Sequence, residues 1–318
     1  MPKKQVLVGF DQDVNFIRGV RLQYEVPKGK GMRPKWKLLS ADEVAGDFFE
    51  DSKIIAALKK LKGKLGVTAS DKVAVCLSGK QTYAIQMDVR KLPDEEMAGM
   101  LKLELRKSMP FESSVATFDY QFLPVASDYV SDGGVPVIVS AAANSFLSKH
   151  VLNYQKAGLR PFHVNILPIC AADAFWAVKK DATVSNETYV ILHIGSAVCT
   201  LVIVGDASPF FNRSFSFGID EVVSGSAKGG DMETTLQLNA LAGEITKSVS
   251  YYKNTFPCGN ISAITILGNH ASHPVFDTLG QKMGYAIQTI QTASLVSALK
   301  PLEPGKYDLA IALAMQAV

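Results

Sequence analysis

Residues 189–204 constrain the fold more than any other stretch of the 318-residue chain. Two β-branched, apolar runs, residues 189–194 and 197–204, are hinged at Gly195 and Ser196. Runs of this length and composition read as strands, and the Gly-Ser pair reads as the turn that reverses the chain. Residues 208–218 follow, with Phe211, Arg213, Phe215 and Phe217 alternating with small or polar neighbours, which adds a third strand with one wet face. The stretch predicts an antiparallel meander. Its first turn, His193-Ile194-Gly195-Ser196, has a glycine where backbone N–H groups can converge on an anion.

A meander of this kind needs helices to cover it, and the chain is long enough for two compact halves, each with its own core. The apolar fraction of 47%, the charged fraction of 20%, and 24 Gly with 14 Pro are those of an ordinary globular protein. A net charge of +3 is too weak and dispersed for an electrostatic nucleic-acid footprint, so no nucleic-acid partner is expected. Cys76, Cys170, Cys199 and Cys258 lie far apart without metal-ligand or redox spacing, which fits reduced thiols in the cytosol. No apolar stretch approaches the roughly 20 residues that span a bilayer, and the amino terminus enters a strand without a signal-peptide core. The expectation is a soluble cytoplasmic protein that reaches any membrane through a partner.

Taken in order, residues 5–9 and 15–25 read as a strand and its return, with residues 9–13 as the tight turn. Residues 26–37 carry five cations among Pro and Gly turn signals and read as a solvated hairpin tip, acidic lipid head groups being the alternative contact. Asp51–Leu65 is an amphipathic helix with a lysine-rich outer face, stopped by Gly66. Strands are predicted over residues 71–77, 82–89, 118–123, 135–141 and 162–166. Helices are predicted over residues 93–108, 144–156 with Asn144 as cap, 168–179, 234–256, 272–283 and 307–318. A last strand covers residues 261–267. Polar loops are expected over residues 128–134 and 225–231. Strands followed by helices, twice over, imply an α/β protein with mixed sheets.

Several motifs then carry a resemblance. Residues 92–111 combine an acidic helix start, an internal Glu104 and a Met109-Pro110-Phe111 stop, and Phe118-Asp119-Tyr120-Gln121 follows. Gly158-Leu159-Arg160-Pro161, residues 212–218, residues 244–252 and residues 308–314 match further, in the right order. The chain resembles the type IV pilus assembly protein PilM family over nearly its full length. The resemblance implies an actin/FtsA-like fold: duplicated ribonuclease H-like domains around a nucleotide cleft, with an inserted α+β subdomain. Residues 1–81 and 160–185 would form the N-terminal half, residues 82–159 the insert and residues 186–318 the C-terminal half.

The nucleotide motifs of that superfamily are altered here. Its phosphate turns usually read Asp-x-Gly, where this chain has Asp11-Gln12-Asp13 and His193-Ile194-Gly195. The third turn, normally a Gly-Gly pair before Ala, is Gly268-Asn269-His270-Ala271, and Asn165 and Leu167 stand where relatives tend to carry acids. Glu244 and Lys247, one helical turn apart, match a pair that related folds aim at ribose and adenine. The resemblance thus implies a vestigial nucleotide cleft at Asp11, Asp13, Gly195, Ser196, Glu244, Lys247 and Gly268, with ATP and Mg²⁺ bound weakly if at all and no catalytic residue. An active actin-like ATPase of pilus assembly or cell division is the alternative. A cell-division version is expected to carry a basic membrane helix beyond the fold, whereas this chain stops inside its last helix. His270 and His273 could share a helix face as metal ligands, but a third ligand is missing nearby, so no metal site is expected.

The implied role is a scaffold at the inner face of the inner membrane that binds the cytoplasmic N-terminal tail of a PilN-like membrane protein. The cleft between insert and N-terminal half is the expected partner site. Met97, Met100, Leu101 and Leu105 on the predicted helix of the insert would supply its adaptable apolar contacts.

Overall fold

Two antiparallel meanders, each extended by two parallel strands, give the molecule its frame. The computed structural model describes residues 4–26, 35–123, 134–179, 187–205, 208–217, 219–220, 222–223, 232–298 and 301–316. In the first half β1 (Lys4–Gln12), β2 (Phe16–Glu25) and β3 (Lys35–Ala45) form the meander. Strands β4 (Lys72–Leu77) and β8 (Pro161–Ile166) then add in parallel, giving the order β3-β2-β1-β4-β8. In the second half β9 (Thr188–Ile194), β10 (Val198–Gly205) and β11 (Phe211–Ser216) repeat the meander, and β12 (Ala263–Gly268) and β13 (Ala286–Thr289) repeat the parallel extension. The two-residue β14 (Val296–Ser297) returns to the first sheet and pairs with Trp36 and Lys37 on β3.

Helices cover the sheets because their apolar stripes match the helical period. On the outer face of the first sheet, α1 (Asp51–Leu65) buries Ile54, Leu58, Leu61 and Leu65 against Val8, Phe10 and Ile17. It ends at Gly66, whose left-handed φ of 67° suits a residue without Cβ. Between the two sheets lie α4 (Leu167–Lys179) and α7 (Asp308–Gln316), both rich in small residues, packed with Leu7, Leu22, Ile191 and Val202 in one shared core. On the outer face of the second sheet, α5 (Met232–Thr255) and α6 (Val275–Met283) bury Leu241, Ile245, Phe276 and Leu279.

The insert is a three-stranded sheet, β5 (Thr82–Arg90), β7 (Gly134–Ala143) and β6 (Ala116–Phe122) in that order, crossed by α2 (Asp94–Ser108). Helix α3 (Asn144–Lys156) belongs elsewhere: its Tyr154 packs edge-on to Phe10 in the core under α1. The small separate core is therefore built from β5, α2, β6 and β7, and the last part of the expected insert packs with the N-terminal half.

Other departures have local causes. Gly9 lies inside β1, which continues through Gln12, because α7 packs so closely that a Cβ at Gly9 would overlap the Ala310 carbonyl oxygen. Strand β3 is unanticipated, its burial pattern broken by Asp42 and Glu43. Asn144 is the first residue of α3 and not its cap; its Oδ1 accepts a hydrogen bond from Thr117 Oγ1 at 2.7 Å. Helix α6 begins at Val275, since residues 270–273 form turns before Pro274. Most of the basic tip at residues 26–37 and of the two polar loops lies outside the described residues. Among the described residues no helix is long and apolar enough to cross a membrane.

Candidate functional site

The two meander turns face each other. After β1, Asp13 closes the first turn with its N–H donating to the Phe16 carbonyl at 2.9 Å. After β9, the Gly195 N–H donates to the Val198 carbonyl at 3.1 Å and closes the second. The turns are joined directly, because the Ser196 N–H donates to Asp13 Oδ2 at 2.8 Å. The same carboxylate oxygen would lie 3.0 Å from a Cβ at Gly195, so Asp13 fills the space that the glycine opens. The outward N–H of the second turn is thus held by a carboxylate from the first. Bound ATP would have to displace that carboxylate before a phosphate oxygen could take its place.

Burial controls the charges nearby. Asp11 is almost fully enclosed, and desolvation pushes its carboxyl up to about 7 against the pull of Arg18, with Asp13 and Glu43 adding repulsion. His193 is equally enclosed, and desolvation lowers its imidazole to about 4 although Asp13 favours the charged form. A neutral imidazole is a poor ligand for Mg²⁺, which prefers oxygen. These turns do not fit Mg-ATP as arranged. Among the described residues no group of three metal-ligating side chains comes together.

A polar lattice ties the halves together beside these turns. Buried Arg18 on β2 pairs with Glu43 on β3 and donates to Asn269 Oδ1 at 3.0 Å and to the Lys306 carbonyl at 3.1 Å. Asn269 Nδ2 donates to Asp220 Oδ1 at 3.1 Å, and Asn15 Nδ2 donates to Asp220 Oδ2 at 2.7 Å. His270 Nε2 lies 3.1 Å from Asp220 Oδ1, its backbone at a positive φ of 55°. Arg18, Asn15 and Asp220 were not identifiable from the sequence. They meet across separations of 205 and 251 residues, and no local pattern marks them.

The residues expected in one nucleotide cleft are divided among three places. Asp11, Asp13 and Gly195 line a cavity of about 560 Å³ with Gln12, His193, the start of α1 and the start of α3. Gly268 lines a separate cavity of about 440 Å³ with Arg18, Glu43, His270 and Lys306. Glu244 and Lys247 line neither; Glu244 is ion-paired with Arg213 on β11 at 2.8 Å and with Lys247 at 3.2 Å. Ser196 holds Asp13 and leaves its own Oγ buried without a partner. Asn165 and Leu167 stay structural: Asn165 Oδ1 accepts from the Ile166 N–H at 2.8 Å, and Leu167 is buried at the cavity wall.

The expected partner stripe is corrected by its burial. Met97, Leu101 and Leu105 are at most 1% exposed and Met100 is half-buried, all packed against Val89, Val137 and Val139 inside the insert. The helical spacing that suggested a sticky face is the spacing that fits α2 to its own sheet. The larger cavity lies instead where α1 and α3 begin, beside β4 and the start of the insert. It opens past Phe48, Phe49, Ser78, Gly79, Gln81 and Phe146, with Phe49 73% exposed. Of the residues that line it, Gln12, His150 and His193 each bury one polar atom, Oε1, Nε2 and Nδ1 respectively, without a hydrogen-bond partner.

Duplicated sheets of one connectivity, two helices between them and two opposed turns at the cleft define an actin-like protein. The fold is shared with an ethanolamine utilization protein EutJ from Carboxydothermus hydrogenoformans (TM-score 0.52, 12% identity, 99% of this chain and 90% of that one). It is also shared with a Bacteroides thetaiotaomicron protein described as having an actin-like ATPase fold (TM-score 0.52, 10% identity, 98% and 95% covered). Residues 37–228 match the sequence profile of the type IV pilus assembly protein PilM, and the chain belongs to that family. A solved PilM-PilN type IV pilus biogenesis complex superposes with a TM-score of 0.79 at 16% identity over 98% of both chains. No curated protein sequence matches the chain.

Proposed function

We propose that this protein is a scaffold of type IV pilus assembly or of a related secretion machine. In this reading it receives the cytoplasmic N-terminal tail of a PilN-like inner-membrane protein in its larger cavity and does not turn over ATP. It would be held at the inner face of the inner membrane through that partner. The carrying observation is the cavity itself, about 560 Å³, with Phe48, Phe146 and the exposed Phe49 among its lining residues. A tail with apolar side chains finds Phe48, Phe49 and Phe146 suited to them. The fit of the whole chain to one member of a PilM-PilN complex supports the same partner class.

The absence of turnover follows from Asp13. A phosphate oxygen about 4 Å from that carboxylate is repelled by roughly 4 kcal/mol at an effective dielectric of 20. Buried, neutral His193 offers no compensating charge. Isothermal titration with a synthetic PilN-like tail tests the reading. The unmodified protein binds the tail, Phe49→Asp weakens binding by about 30-fold, or about 2 kcal/mol, and an apolar-to-Asp tail loses similarly. Equal affinity for both tails overturns the partner reading, and steady phosphate release from Mg-ATP overturns the scaffold reading.

A further inference from the structure

The cations of this chain are not spread evenly over its surface. Residues 52–70 contain five lysines and no Asp or Glu, and residues 144–162 contain two lysines, Arg160 and no Asp or Glu. These two segments are α1 and α3 with the turns that follow them, and the structure lays them side by side: Asn153 Nδ2 donates to Asp51 Oδ1 at 3.0 Å, and Lys62 Nζ donates to the Gly158 carbonyl at 2.8 Å. Together they make the outer layer of the first half. That layer carries eight cations and one acid, Asp51 at the start of α1.

Local acids neutralise only part of it. Lys53, Lys64 and Lys149 are ion-paired with Glu50, Asp42 and Asp51, respectively. Lys59, Lys60, Lys156 and Arg160 are exposed and form no salt bridge among the described residues. Where β8 begins, beside Arg160, Phe162 is 63% exposed, with Lys72 Nζ 4.4 Å from its ring centroid.

We infer that this α1/α3 face is a docking surface for an anionic lipid bilayer. A charge excess only partly offset by acids complements acidic head groups, and long lysine side chains can hold their ammonium groups there while their stems lie along the interface. Phe162, exposed and with the Lys72 ammonium over its ring, suits the head-group boundary, where an aromatic side chain is favoured. The inference goes beyond the tail-binding cavity and needs no partner protein: a bilayer contact on this face orients the cavity mouth while the partner's tail supplies specificity.

Flotation with lipid vesicles, without any partner protein, tests it. The full chain floats with phosphatidylcholine vesicles containing phosphatidylglycerol and not with pure phosphatidylcholine, and added salt weakens the association. Each of Lys59→Gln/Lys60→Gln and Lys156→Gln/Arg160→Gln lowers the partition coefficient about 25-fold, at roughly 1 kcal/mol per cation. Lys102→Gln/Lys282→Gln, exposed lysines on other faces, leaves it within about twofold. Phe162→Ala removes the part of the binding that resists salt. Failure of the unmodified chain to float with the anionic vesicles overturns the inference. So does an equal loss in all three double variants, which would make the effect one of net charge. Lower thermal stability in the α1/α3 variants with flotation unchanged also overturns it, because the lysines would then only support the ends of their helices.

Discussion

The two halves share a strand order and differ in what their first turns carry. In the first half the end of β1 and the turn after it bring Asp11 and Asp13; in the second the end of β9 and its turn bring His193, Gly195 and Ser196. One turn supplies carboxylates and the other an anion-accepting backbone, and they satisfy each other through the 2.8 Å bond from Ser196 N–H to Asp13. Duplication fixes where the turns meet. Side chains decide whether the meeting place stays open to a ligand. Here the direct bond closes the gap between the turns, and the open volume lies beside them where α1 and α3 begin, with His193, Gly195, Ala197 and Val198 of the second half in its wall.

The comparison breaks most visibly if the halves are forced apart. Gly9 is in contact with the backbone of α7, so Gly9→Val has no side chain that can move aside to admit it. We expect a loss of about 4 kcal/mol or failure to fold, at the upper end of overpacking. Urea denaturation measures it, and a loss under about 1 kcal/mol would mean that α7 does not bind both sheets. Next in size is Arg18→Met, which leaves Glu43 half-enclosed with only the longer 3.6 Å pair to Lys306 and removes the bridge to Asn269. A cost of about 3 kcal/mol is expected. Because those bonds join the halves, limited proteolysis of the variant should accelerate.

The pH dependence separates the turns by sign. A buried carboxyl whose folded value is raised from 3.8 to about 7 binds a proton more tightly when folded, so its contribution is favourable at low pH and is lost as pH rises from about 4 to about 7. A buried imidazole lowered from 6.5 to about 4 does the opposite, and its contribution is lost as pH falls from about 6.5 to about 4. In the unmodified protein the two slopes offset over most of that window. Asp11→Asn removes one of them. Relative to the unmodified protein, the variant gains about 2.5 kcal/mol between pH 5 and pH 8, two titrating units at 1.36 kcal/mol each. Parallel stability curves for the two proteins would show that Asp11 is not enclosed as the structure has it.

Much of this architecture is legible in the sequence. The meander of residues 189–216, the Gly66 stop of α1, and the helix-and-strand pattern of the insert follow from periodicity and turn chemistry alone. Strand β3 is not legible, since Asp42 and Glu43 interrupt its apolar pattern and are satisfied by Lys64, Arg18 and Lys306 from elsewhere in the chain. The apolar stripe of α2 is visible, but its destination is not, because a core-facing stripe and a partner-facing one have the same period. The Arg18, Asn269 and Asp220 lattice is beyond any local reading, because its members are brought together only when the halves close.

The smallest expected effect concerns the residues with the strongest sequence argument for a nucleotide role. Glu244 and Lys247 match a nucleotide-contacting pair of related folds, yet here Glu244 is held between Arg213 and Lys247 on the surface of α5, and Lys247 is 71% exposed. An exposed pair of this kind gains little from Coulomb attraction in high dielectric and costs side-chain entropy to order. Lys247→Ala should therefore cost about 0.3 kcal/mol. Glu244→Ala should cost somewhat more, about 0.5 kcal/mol, since it also frees Arg213. Neither change should alter the affinity for a PilN-like tail, because neither residue lines the larger cavity. Chemical denaturation and tail titration on the same two variants check both statements. A tail affinity lowered tenfold by Lys247→Ala would mean that α5 and the cavity act as one site, and that the second half contributes more to binding than its closed turn suggests.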